Sequence, residues 1–204
     1  MRTPAPRCLA LALGVVCLAA ALFPACESDR SLSVQRTITG PDPLPIPPPT
    51  SPENLLAALQ VIYNDPARDA NERLQLYRDL FPPANRGSLP GFTFHFQPAD
   101  VAPGDGQSWG LDEELEAHVG MFGACESGEV RGLELSLTHL PAEPIEFPGE
   151  GQEDWAEIFV SNVFLRIMFN PEDGLVVDGA QARFLLAPTA DRWFIVDWTD
   201  LPRP

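Results

Sequence analysis

Ser108 stands in "GQSWG" (106–110), a literal match to G-x-S-x-G. That spacing serves nucleophilic acyl transfer when a buried strand enters the serine and a helix leaves it, so that a strained turn exposes the hydroxyl. A helical pattern follows, but "ADVAPGD" (99–105) is no apolar strand, and Ser108 reads as part of a helix start. The three histidines, His95, His118 and His139, lie twenty or more residues apart and match no zinc spacing. His118 and His139 fall in phase with apolar faces, which suits a satisfied buried or pocket-edge imidazole better than a metal ligand. "DEELE" (112–116) and "PEDG" (171–174) lack the alternating oxygens of a calcium loop and read as a solvated helix start and a tight turn. All 13 basic residues are arginine. Schiff-base chemistry, a P-loop lysine and Ser–Lys dyads are thereby excluded. No motif asks for a metal or a cofactor.

The four cysteines divide by position. "MRTPAPR" carries two arginines and no acid, and "CLALALGVVCLAAALF" (8–23) is apolar throughout. This is the layout of a secretory signal. At ~1.5 Å per residue the run covers about 24 Å, short of the ~30 Å hydrocarbon core, and Pro24 would stop a helix there. The following "LFPAC" resembles a bacterial lipobox, in which the cysteine thiol takes a diacylglyceryl group before cleavage. The resemblance implies a signal peptide over 1–25 and a lipid on Cys26. Phe23 and Pro24 depart from the commoner Leu and small residue, and a plain secreted protein or an uncleaved anchor are the competing readings. Cys8 and Cys17 would leave with the signal. Cys125 then has no partner in its own chain and reads as a small buried packing residue, with a reactive or intermolecular thiol as the alternative.

Residues 26–50 read as a tether. "PDPLPIPPPT" (41–50) holds six prolines in ten residues, and proline-rich chain favours extended polyproline II at ~3.1 Å per residue. Such a segment should bury almost nothing, so its removal is expected to cost little stability. Every acid lies after Cys26, and removing residues 1–25 leaves 11 arginines against 29 acids, a net charge of −18. A surface that acidic repels nucleic acid and anionic headgroups, so any membrane attachment must be apolar or covalent.

Residues 51–204 form the domain. Ser51 and Pro52 start a helix whose stripe is Leu55, Leu59, Ile62 and Tyr63. A second runs from the Asp69/Glu72 capping pair to Pro82, with Leu74, Tyr77, Leu80 and Phe81 on one face. "FTFHFQ" (92–97) alternates as a strand, and "GLDEELEAHVGMF" gives a third helix whose inner face is Leu111, Leu115, His118 and Phe122. "RGLELSLTHLP" puts Leu133, Leu135, Leu137 and His139 on one side. "EIFVSNVFLRIMF" (157–169) is a long strand, and "AQARFLLA" with "DRWFIVDWTD" closes the chain as a hairpin. The order α-α-β-α-β-β-β-β has no βαβ rhythm and implies an α+β domain with a largely antiparallel sheet.

That order, and the closing "DRWFIVDWTDLP", resemble the cystatin-like cone of the NTF2-like superfamily, SnoaL-like domains included. The resemblance implies a curved sheet wrapped into a cone with polar groups converging inside; Tyr77, His118, Arg166 and Asp197 are the candidates to line it. None aligns with a catalytic position of the family. On strict alternation Trp193, Ile195 and Asp197 share the inner face while Trp198 takes the other, with Arg166 or Arg183 available to pair with Asp197. Two functions follow from the resemblance. One is a lipid-tethered extracytoplasmic module that binds a small apolar ligand or an envelope protein without catalysis, with a homodimer compatible. The other is a small-molecule isomerase, dehydratase or cyclase working in the cone. A filled cone favours the first and an open pocket with a buried carboxylate favours ligand binding or catalysis.

Overall fold

The structure is a computed structural model that describes residues 42–83, 89–99, 101–102 and 106–202. The signal segment, Cys26 and the tether up to residue 41 lie outside the described residues. Helix α1 (Pro52–Asn64) starts where the sequence indicates, the Ser51 hydroxyl accepting from the Asn54 N–H at 3.2 Å. Helix α2 (Ala70–Arg78) is capped by Asp69, which accepts from the Glu72 N–H at 2.8 Å. Strands β1 (Thr93–His95) and β2 (Ser108–Gly110) precede helix α3 (Leu111–Ser127). The Glu113 carboxylate accepts from the Gly110 N–H at 3.0 Å, satisfying one orphan donor of the first turn. Strands β3 (Gly132–His139), β4 (Glu143–Pro144), β5 (Ala156–Met168), β6 (Gly174–Pro188) and β7 (Trp193–Leu201) complete the chain. The two short strands β2 and β4 are additions to the expected order.

The sheet runs β2-β1-β7-β6-β5-β3, with β4 alongside β5; β1 and β7 are parallel and every other pair is antiparallel. It is curved and unclosed, and the three helices cover its concave face with one core of Leu55, Leu59, Ile62, Phe122, Val163 and Phe184 among others. Curvature comes from bulges, which bend a strand and switch its inward phase. On β5 the buried set changes from Ile158 and Val160 to Val163, Leu165 and Ile167. On β6 it changes from Val177 to Ala180, Ala182 and Phe184, across Gly179 at φ 76°, whose N–H donates to the Asn162 side-chain oxygen at 2.7 Å.

A third bulge alters the expected closing strand. The β6–β7 register shifts between Leu185 and Leu186, leaving Val196 as the extra residue. Ile195 and Trp198 therefore both face the core, and Asp197 turns to the outer face. The placement of Asp197 inside is corrected by this shift; the buried acid of the strand is Asp200. A register shift after Thr138 likewise takes His139 out of the Leu133–Leu135–Leu137 alternation.

The proline segment is not a passive spacer over its last residues. Leu44 N–H donates to the Asp65 carboxylate at 2.9 Å, Ile46 packs on the core, and Trp193 N–H donates to the Pro49 carbonyl at 2.8 Å. Proline lacks an N–H but keeps its carbonyl, so Pro49 meets the first residue of β7 as an acceptor only. The expectation that the tether buries almost nothing fails for residues 44–50.

Candidate functional site

Four polar side chains meet between the helices and the sheet. Glu114 and His118 lie one turn apart on α3, Tyr63 comes from α1 and Tyr77 from α2, and all four are buried. Tyr77 donates its hydroxyl proton to Glu114 Oε1, and Tyr77 stacks on His118 with ring centroids 3.9 Å apart. His118 Nδ1 lies 2.8 Å from the Glu114 backbone carbonyl, which can only accept, so Nδ1 carries the proton. Nε2 is then the acceptor for the Tyr63 hydroxyl. The network fixes one tautomer of a neutral imidazole.

Burial sets the charges. It raises Glu114 to about 7, opposed by the Tyr77 hydrogen bond and the nearby Trp109 N–H. It lowers His118 to about 4, the backbone bond to Glu114 opposing and the field of Arg73 reinforcing. Both tyrosines are pushed above their ordinary value, burial first and the Glu114 charge second. Near neutral pH the site therefore holds a neutral histidine and a carboxyl poised between its two forms.

Beside this cluster is a cavity of ≈ 20 Å³, measured as room for the centre of a water molecule, lined by Tyr63, Phe94, Trp109, Glu114, His118 and Trp198 among others. That is space for about one water. The indole N–H of Trp109 lies close to Glu114 but outside good hydrogen-bond geometry, and the Trp198 N–H also has no protein partner among the described residues. Among the described residues this space between the helices and the sheet has room for little more than that water.

A larger pocket of ≈ 360 Å³ also has Tyr63 in its lining. It opens between the end of α1, the start of α2, the last turns of α3 and the start of β3; Arg73, Phe122, Cys125, Leu133 and Met168 line it. Arg73 is 4% exposed. Its Nε donates to the Ile62 carbonyl at 2.9 Å and its Nη2 to the Tyr63 carbonyl at 2.5 Å, so it caps the last turn of α1. The guanidinium carbon sits 4.4 Å above the Phe122 ring. Cys125 packs half-buried against the core beside this guanidinium; burial raises its thiol and Arg73 opposes the shift.

Of the candidates from sequence, Tyr77 and His118 are brought together and Arg166 and Asp197 are not. Arg166 is exposed opposite Glu134 on the outer face, because β5 alternates and its inward set is Val163, Leu165 and Ile167. Asp197 is bonded to His95, Nε2 to Oδ2 at 2.8 Å, and accepts from the Thr199 hydroxyl at 2.8 Å. Neither expected arginine pairs with it: Arg183 lies 3.8 Å from Glu157. Ser108 sits across from His95 in the β1–β2 register, yet no hydrogen bond joins them. The serine is exposed on a three-residue strand, so the G-x-S-x-G match builds no elbow. Among the described residues no group of three His, Cys, Asp or Glu side chains is placed to hold a metal.

Glu114 and Arg73 are not singled out by the sequence, and Tyr63 is marked only as part of the α1 apolar stripe. Reading "DEELE" as solvated is correct for Asp112, Glu113 and Glu116 and wrong for Glu114. Its one local signal is the i, i+4 spacing to His118.

No protein-family profile matches the chain, and no curated protein matches it. Among solved structures, one named "putative aromatic ring hydroxylase", from Novosphingobium aromaticivorans, is similar at 13% identity and TM-score 0.43, over 74% of this chain and 87% of that one. A second, from Catenulispora acidiphila, is described as having a ketosteroid isomerase-like fold in complex with trimethylamine; it matches at 12% identity and TM-score 0.38, over 75% and 87%. Overlap this loose carries no chemistry across.

Proposed function

We propose that the protein is a lipid-tethered, extracytoplasmic module of NTF2-like architecture that binds a small molecule in the outer pocket without transforming it. The observation that carries this reading is the ≈ 360 Å³ pocket, in the range of small-molecule sites, beside a cone interior that has room for one water. Residues 1–25 would be the signal and Cys26 the lipid anchor. Residues 27–43 would then be the link between anchor and domain. No helix among the described residues is long and apolar enough to cross a membrane.

The test is recovery of a ligand. Native mass spectrometry of the purified chain should show a bound small molecule that is released on denaturation and is missing from Ala70→Trp, which fills the pocket rim. A wild-type chain that carries nothing, and whose stability is unchanged across a library of apolar and amphipathic compounds, refutes the reading.

The alternative is an isomerase, dehydratase or cyclase acting in the cone. Glu114, held near 7, has the property a general acid–base needs. Against it stands the volume, since a substrate cannot enter ≈ 20 Å³ unless the aromatic wall opens. A copurified molecule recovered in altered form from wild type and unaltered from Glu114→Gln would favour catalysis over binding.

A further inference from the structure

We infer that the outer pocket takes a small monocarboxylate with an apolar body, its head group held by Arg73; this rests on reading that pocket as the ligand site. Arg73 keeps its charge at any ordinary pH, and among the described residues no carboxylate lies within ion-pair distance of it. A buried guanidinium without a counter-ion is costly. What the protein supplies is partial: two carbonyls in the last turn of α1, whose dipole end is equivalent to roughly half a negative charge, and the π face of Phe122. Cys125 adds no charge, because burial keeps its thiol protonated. The guanidinium charge is therefore only partly offset where Arg73 lines the pocket, and the N–H groups not taken by the two carbonyls, one of them shared with the Cys125 sulfur, belong to a fork that matches a carboxylate.

The rest of the lining sets the size of the charge and the shape of the tail. Arg68 is committed to Asp65 and Glu72. Within the lining Arg68 and Arg131 balance Asp69 and Glu126, so apart from Arg73 the rim carries no net charge, and a single guanidinium matches a monoanion better than a doubly charged phosphate. Phe122, Val130, Leu133 and Met168 offer an apolar wall for the body of the ligand. A monoanion with an apolar tail fits these constraints; a polyphosphate or a cation does not.

Cys125 lines the pocket and reports occupancy. The purified full chain is alkylated with iodoacetamide at pH 8, and modification of Cys125 is followed by peptide mass against increasing 3-phenylpropanoate, 3-phenylpropanamide or 3-phenylpropylamine. The carboxylate should slow alkylation at least fivefold at saturation, with half-protection at a concentration at least tenfold lower than for either analogue. Arg73→Gln should remove that tenfold preference while the amide still protects. If the amide or amine protects wild type as well as the acid does, the pocket is a site but the carboxylate assignment is wrong. If none of the three protects, the assignment is equally wrong, and ligand recovery by native mass spectrometry decides separately whether the pocket is a site at all. Should Arg73→Gln fail to fold, Arg73→Lys serves; it keeps the charge but not the fork, and must weaken the carboxylate alone.

Discussion

Glu114 and His118 should hide one another's titration, and removing either should expose the other with opposite sign. Burial raises Glu114 from an ordinary 4.5 to about 7. Between those values the folded state binds the proton and the unfolded state does not, so stability falls as pH rises. Burial lowers His118 from 6.5 to about 4. Between those values the unfolded state binds the extra proton, so stability rises with pH. Each separation corresponds to roughly 3 kcal/mol at ~1.4 kcal/mol per pH unit, and the windows overlap from about 4.5 to 6.5. The wild-type contribution of the pair is therefore nearly flat there. Glu114→Gln keeps the Tyr77 acceptor and removes only the falling limb, so relative to wild type its stability should climb by about 3 kcal/mol between pH 4.5 and 7. His118→Gln should show the reverse, a relative loss of about 3 kcal/mol between pH 4 and 6.5. The many exposed carboxylates cancel when each variant is subtracted from wild type. His118 Nδ1 lies only 3.5 Å from Glu114 Oε1, so the two titrate as a unit and the double variant should return to a profile parallel to wild type. Urea unfolding with linear extrapolation at half-unit steps from pH 4 to 8 reads this directly. Single variants that both run parallel to wild type within ~0.5 kcal/mol would show that neither group is perturbed by burial, and the account of the site would fail.

Three further outcomes follow from the fold and one from the lipobox resemblance. Deleting residues 42–50 should cost about 2–3 kcal/mol, at roughly 1 kcal/mol for each of the Leu44–Asp65 and Pro49–Trp193 bonds plus the burial of Ile46; an unchanged melting temperature would show that the segment does not dock. Asp197→Asn should cost at most ~1 kcal/mol, as expected for a partly exposed pair with His95, whereas a loss of several would put Asp197 back inside. Gly179→Ala should cost about 1 kcal/mol through its left-handed backbone alone, since nothing lies within 4 Å of the added methyl; thermal unfolding of the variant checks it, and no change would mean that the bulge can relax. Cys26→Ser should yield a chain that no longer partitions into detergent as a processed lipoprotein, and normal cleavage with continued membrane extraction would refute the lipid assignment.

What the sequence shows of this fold is its local physics. Ser51, Pro52 and Asp69 announce helix starts because a cap is a contact between residues three apart, and those helices begin at the predicted positions. Alternation in "GLELSLT" finds the buried Leu133, Leu135 and Leu137 for the same reason. Bulges are a different matter, since an extra residue is defined by the partner strand. Nothing in "RWFIVDWTD" marks Val196 as unpaired until β6 lies beside it. One slipped residue exchanged Asp197 for Asp200 and sent the best pocket candidate to the outer face.

The buried cluster was half legible for a related reason. Tyr77 and His118 can be proposed because each sits in an apolar stripe. Glu114 could not, because an acid in the first turn of a helix is ordinarily explained by the dipole and by capping, and here the neighbouring Glu113 fills the capping role. Only the arrival of Tyr77 from α2 gives Glu114 a partner that makes its burial tolerable, and that contact spans 37 positions. Arg73 is the same case with opposite charge: within α2 it looks like one more solvated arginine, and it becomes a buried cation only because α1 ends against it and α3 lays Phe122 beneath it. Both groups are charges whose burial is decided by other helices. Where such a group also faces open volume, as Arg73 does and Glu114 hardly does, its unspent charge has somewhere to act. That difference in neighbouring space, more than any difference in chemistry, is why we propose ligand binding at Arg73 and read Glu114 as part of the fabric of the fold.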